Sequence, residues 1–284
     1  MQENAPSRTA QRVALRRTAH QILDRPLVFE DPLALAMLGP RAAEELRADP
    51  DRGEASPAAP YLRAFLAARS RLAEDELALA VARGVSQYVI LGAGLDTFAW
   101  RNPHPPGSLA VFEVDHPASQ AFKRQRLAEA GLAPPPDLAF APVDFLKVSL
   151  AEGLRRAGHD QGRASFFSWL GVTPYLTPEA VMDTLRFIAV SPAGGGVVFD
   201  FAVSPSRLDA PGRAAYQALA ARAEAGGEPW LAHFEPAALA VELRAMGFAE
   251  VTRLGRAEIN ARYFAGRADG LGVGSMYQLI SARV

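Results

Sequence analysis

A chain of 284 residues, 49% apolar and with a formal net charge of −1, is long enough to bury a large α/β core and lacks the basic excess of a polyanion-binding domain. It has no cysteine, and His20, His104, His116, His159 and His233 show no ligand-like spacing, which excludes disulfides and thiolate metal centres and argues against zinc. The opening MQENAPSRTAQRVALRR has no apolar centre of signal-peptide type, and no run of about 18 apolar residues follows; the expectation is a soluble cytoplasmic protein without nucleic-acid or membrane partners.

Residues 1–85 read as helical. RTAQRVALRRTAHQIL (8–23) carries apolar residues at helical spacing. In DRPLVFEDPLALAMLG, Asp31-Pro32 is the expected N-cap and first-turn pair of a second helix. YLRAFLAARSRLAEDELALAVARG predicts a long helix ending at Gly84. Strands then alternate with helices. QYVILG (87–92), SLAVFEVD (108–115), LAFAPVDF (138–145), ASFFSWLG (164–171) and GGGVVFDFA (194–202) read as strands. PASQAFKRQRLAEAG and TPEAVMDTLRFIAV read as helices between them. A helical excursion at about 206–228 and the helix EPAALAVELRAMG precede two last strands, FAEVTRLG and SMYQLISARV. NARYFAGRADGL (260–271) reads as a loop, either a plain connection or an acceptor-side element. Alternation with near-continuous apolar strands predicts a doubly wound parallel sheet, whose ligand crevice lies beyond the carboxyl ends of the strands.

LGAGLDT follows the first strand directly. Gly92 and Gly94 let a ligand approach the backbone, and Glu113 and Asp115 end the next strand, where an acid accepts from ribose hydroxyls. A dinucleotide fingerprint requires a third glycine where Thr97 stands, and Asp96 would repel a pyrophosphate. The same carboxylate suits a cationic amino-acid portion. The stretch therefore favours S-adenosylmethionine over NAD, with a plain glycine turn as the bland alternative.

VILGAGLDTFAWR, FEVDHP, PVDF and LGVTPYLTPEAV resemble the successive motifs of the leucine carboxyl methyltransferase-like family, within the class I S-adenosylmethionine-dependent methyltransferases. LRRTAHQ…EDPLA and NARYFAGRADGL are similar to its bacterial branch. The resemblance implies a seven-stranded, mostly parallel, Rossmann-like α/β fold with the last strand antiparallel. It also implies a helical cap over residues 1–85 and a cofactor-binding domain over 86–284, as one compact unit. It assigns Arg69 to the carboxylate of the cofactor's methionine portion and Gly92 and Gly94 to the turn beneath. Asp115, with Glu113 close by, takes the ribose; Asp144 and Phe145 take the adenine. One departure stands out. Where many relatives have Glu-Gly after the fourth strand, usually with the glutamate against the cofactor, this chain has Leu170-Gly171.

Each residue also has a bland reading. Arg69 is a solvated arginine of an Ala-rich helix, Asp144 a helix cap, His116 a capping residue, and Tyr175 and Trp169 core aromatics. Glu113 shares a strand face with Asp115, so one of the two is a structural acid. Arg16 and Arg17 form an exposed face or a lid near the cofactor. The expected reaction is methyl transfer to oxygen, on a carboxylate of a small molecule or peptide, with Tyr175 or an arginine of 260–271 positioning it. The rivals are an NAD(P)-linked oxidoreductase and a cofactor-binding protein without turnover.

Overall fold

The computed structural model describes residues 8–50, 58–144 and 147–284. The helices α1 (Arg8–Leu23), α2 (Ala34–Leu38), α3 (Pro40–Ala48) and α4 (Ala59–Ala82) precede the sheet. Then follow β1 (Gln87–Leu91), α5 (Phe98–Arg101), β2 (Ala110–Asp115), α6 (Pro117–Glu129), β3 (Leu138–Pro142), α7 (Leu150–Arg156), β4 (Ser165–Trp169), α8 (Pro178–Ala189) and β5 (Gly196–Ala202). The chain closes with α9 (Ala210–Ala225), α10 (Pro236–Met246), β6 (Glu250–Leu254), α11 (Arg256–Tyr263) and β7 (Tyr277–Arg283).

The seven strands lie in the order β3-β2-β1-β4-β5-β7-β6. Strands β1 to β5 pair in parallel, and β7 runs antiparallel to both β5 and β6, as expected. The winding reverses between β1 and β4, which opens the crevice at their carboxyl ends. Period-two geometry divides β1 between two apolar layers. Tyr88 and Ile90 join the layer of α4, α5 and α11, whereas Val89 and Leu91 join that of α7, α8 and α10. Burial on both faces explains why the inner strands are apolar throughout.

Helix α4 sits within this core. Phe65, Leu72 and Leu77 are buried in the same layer as Tyr88 of β1 and Val198 of β5, each such side chain contributing about 1.5–3 kcal/mol by its removal from water. The helix ends where expected. Gly84 takes φ +99°, its N–H bonds Val81 O, and Val85 N bonds Ala80 O, a paired closure that only glycine enters without strain. Among the described residues no helix is long and apolar enough to cross a membrane.

Two expectations are corrected. Asp31-Pro32 does not begin α2, which starts at Ala34 after Leu33; the Asp31 side chain caps only the Leu33 N–H, and Arg17 takes its other oxygen. NARYFAGRADGL is not all loop, because Asn260 to Tyr263 complete α11. The short α3 was absent from the sequence reading.

Candidate active site

The first strand ends in a tight loop. Gly92 and Gly94 have φ of +69° and +49°, and the Gly92 and Ala93 N–H groups bond Val114 O at 2.8 and 3.1 Å. A Cβ on Gly92 would collide with Val172 of the turn after β4, so the two loops close on each other. Asp115 seals the far side: Oδ2 accepts from Gly94 N at 2.6 Å and Oδ1 from His116 N at 2.7 Å. Burial pushes its carboxyl up from the usual range, against the pull of these two N–H groups.

Glu113 points elsewhere. It is fully buried and meets Lys123 Nζ of α6, itself buried, at 2.5 Å. Burial raises its carboxyl to about 7 despite Lys123. The shared strand face is thus divided: Asp115 borders the glycine loop, and Glu113 is held by α6. Asp96 accepts from Phe98 N at 2.7 Å and from Arg17 Nη1 at 3.2 Å. Burial would raise its carboxyl, but Arg17, Lys123 and Arg101 together hold it below the ordinary value. Asp144 follows β3 and pairs with Lys147 at 3.0 Å. It does not cap α7, a task taken by Ser149. Phe145 lies outside the described residues.

Across the crevice, Arg69 is buried, not solvated. Its Nη1 donates to Asp200 Oδ2 at 2.7 Å. The Gly171 N–H donates to Asp200 Oδ1 at 2.5 Å, and Thr173 Oγ1 to the Asp200 carbonyl at 2.7 Å. Gly171 has φ +74°, and a Cβ there would lie 2.8 Å from both Nη atoms of Arg69. Leu170 packs part-buried on the α4 layer and Trp169 lies in the opposite layer. Asp200 was missed in the sequence, although it is the one charged residue of the buried run GVVFDFA.

Arg69, Gly171, Asp200 and Tyr175 border one cavity. Leu62 and Leu66 of α4 line it, as do Trp230 and Tyr277. Burial pushes the Tyr277 phenol well up, so that it stays protonated. One face of α1 roofs the cavity: Thr9, Arg12, Val13 and Arg16 recur at helical spacing. Thr9 bonds Glu228. Ala10 lies 3.4 Å from the position of a Cβ on Gly94. Arg17 fastens α1 to Asp31 at 2.6 Å and to Thr97 Oγ1 at 3.2 Å, and the Arg17 and Arg101 guanidinium groups lie 4.9 and 5.0 Å from the centre of the Phe29 ring.

The 260–271 segment does not reach this cavity. Arg262 faces Asp75 and Glu76 of α4, and Arg267 donates to the Pro26 and Arg25 carbonyls. Among the described residues, the arginines that line the cavity are Arg12, Arg16, Arg69 and Arg222. His116 caps α6, and His20 is bonded to Asp24 at 2.6 Å.

The sequence model of the family described as leucine carboxyl methyltransferase matches residues 10–189. The chain belongs to the leucine carboxyl methyltransferase family. Its relatives include the Bacillus subtilis protein named "Putative S-adenosyl-L-methionine-dependent methyltransferase YktD", 32% identical over 95% of this chain and 95% of that one. A Mycobacterium avium protein, also named "Putative S-adenosyl-L-methionine-dependent methyltransferase", is 35% identical over 72% of this chain and 68% of its own. Among solved structures, "a putative methyltransferase from Thermobifida fusca" superimposes with a TM-score of 0.54 at 20% identity, covering 92% of this chain and 98% of that one. A "duf574 family protein from Streptomyces avermitilis" reaches 0.56 at 17% identity, covering 96% and 97%.

This member of the leucine carboxyl methyltransferase family is therefore a methyltransferase of class I architecture that uses S-adenosylmethionine. The chemistry of the crevice fits that donor. It holds a buried guanidinium, a glycine loop and a strand-end acid. At the third glycine position of a dinucleotide loop it holds the buried Thr97, bonded to Arg17 and Arg101.

Proposed function

We propose that this enzyme works in the cytoplasm and transfers the methyl group to oxygen, on a carboxylate of a small molecule or peptide. The observation that carries this reading is the charge of the cavity. Arg12, Arg16 and Arg222 line it beside Arg69, and among the described residues its one acid, Asp200, already bonds Arg69. Such a lining favours an anionic acceptor, and Leu62, Leu66 and Trp230 provide apolar surface for its body.

Arg69, Gly92, Gly94, Asp96, Asp115, Asp144 and Phe145 would hold S-adenosylmethionine, with Glu113 supporting β2 from behind and Leu170 as apolar packing. When bound, that group supplies a methyl on a sulfonium, which departs as a neutral thioether. Little further chemistry is needed. A carboxylate is ionised at neutral pH and needs no general base, so the residues contribute alignment and exclusion of water. No histidine lines the cavity among the described residues, and the buried Tyr277 phenol is a donor, not a base. Tyr175 and the arginines of α1 and α9 position the acceptor. Residues 1–85 and 86–284 work as one unit, since α4 shares its core layer with β1.

The reaction is tested by making product with methyl-labelled donor and treating it with mild alkali. A methyl ester releases the label as methanol. Label that stays on the product points instead to an ether or an amine.

A further inference from the structure

We propose that Asp200 is a positioning residue for the cofactor: it acts through Arg69, turning the guanidinium toward the cavity so that its free edge receives the carboxylate of the methionine portion. The inference rests on the reading that Arg69 binds that carboxylate, and it adds a residue for which the motifs have no role.

Three strands of geometry converge on one side chain. Asp200 stands in β5 opposite Leu279 of β7, one residue beyond the Trp169–Phe199 pair that ends the β4 register, so its backbone is fixed by the sheet at the edge of the crevice. One of its oxygens takes Arg69 Nη1 and the other takes the Gly171 N–H, while its carbonyl takes the Thr173 hydroxyl. It thereby joins α4, β5 and the turn after β4. The contact with Arg69 is single. A guanidinium has five N–H donors in a fixed fork, and among the described residues Asp200 uses Nη1 alone. Arg69 also borders the cavity, and guanidinium donors left over from Asp200 match a second carboxylate in paired geometry.

Gly171 closes the device. At φ +74° with the guanidinium packed where a Cβ would stand, the turn and Arg69 occupy one another's space, so Asp200 sets both at once. Fold stability alone is a weak reason for such a pair. A buried ion pair costs desolvation of both partners, and apolar residues of like volume serve a core as well or better. Its place on the cavity wall gives the reason.

The test is a calorimetric titration of full-length protein with S-adenosylmethionine and with its decarboxylated analogue. Asp200→Asn keeps an acceptor for the Gly171 N–H but removes the charge that holds Arg69. It is expected to weaken S-adenosylmethionine binding roughly 10- to 100-fold, the worth of a charge-assisted contact, and to leave binding of the decarboxylated analogue unchanged. Equal losses on both ligands, or parent-like binding of both, overturn the proposal. Arg69→Gln/Asp200→Asn leaves no buried charge unpaired and is the variant read if Asp200→Asn alone unfolds. Against Arg69→Gln, which leaves Asp200 without this partner, the double variant should bind S-adenosylmethionine as well or better; a further loss in the double variant overturns the coupling. A parent that binds neither ligand overturns the underlying site assignment, a result distinct from either.

Discussion

Arg17 of α1 donates from Nη1 to Asp96, two residues beyond Gly94, at 3.2 Å, so the roof of the cavity is fastened to the loop beneath it. The same guanidinium meets Asp31, whose side chain is wholly buried, at 2.6 Å. Removing it leaves Asp31 with the Leu33 N–H and, among the described residues, one cation, Arg101 at 3.4 Å. Arg17→Gln is therefore expected to cost about 3 kcal/mol, at the lower end for a broken buried pair because Arg101 remains. Urea unfolding measures the loss, and limited proteolysis should show earlier cutting within residues 8–23. An unchanged urea midpoint would mean that the latch carries no load.

Asp115→Ala is expected to weaken binding of S-adenosylhomocysteine by about 1.5–3 kcal/mol, one charge-assisted hydrogen bond, in a protein that remains folded by circular dichroism. Parent-like affinity in calorimetry would remove Asp115 from the site.

Gly171→Ala carries two penalties. Its φ of +74° is costly for any residue with a Cβ, and the new methyl would press on Arg69. Gly158→Ala serves as control, with φ +89° and nothing within 4 Å of its Cβ position. Both variants should melt earlier than the parent. Only Gly171→Ala should lose cofactor affinity; equal affinity in the two would dissociate the turn from Arg69.

Glu113 gives a pH prediction. Burial raises its folded value from 4.5 to about 7, so the folded chain holds this proton more tightly than the unfolded one. The stability it contributes is fully present below 4.5 and is lost as pH rises to about 7. Urea midpoints across that window should fall more with rising pH in the parent than in Glu113→Gln. Parallel profiles would contradict the raised value.

The legible parts of this chain were those with short-range signals. The inner strands are buried on both faces, so VILG and GGGVVFDFA stand out as apolar runs, and the order of the motifs named the cofactor. Ends marked by glycine, such as Gly84, were equally visible. The illegible parts depend on distant partners. Glu113 and Asp115 are equivalent in strand periodicity, and only Lys123 on α6 separates the supporting acid from the one at the loop. Arg69 looked solvated because Asp200, its partner, lies 131 residues away in a strand whose apolar pattern drew attention from its single charge. The polar and small residues of 260–271 hid the last turn of α11, in which only Ile259 is buried. The same composition suggested an acceptor loop, whereas Arg267 grips the backbone at Arg25 and Pro26.

A crystal structure of the complex with S-adenosylhomocysteine decides whether the donor lies across the carboxyl ends of β1, β2 and β4. The amino-acid carboxylate is expected on Arg69, with Asp200 still bonded behind it, the ribose hydroxyls on Asp115, and the adenine beside Asp144. A nucleoside bound elsewhere, with Arg69 and Asp115 both out of its reach, would rule out that placement.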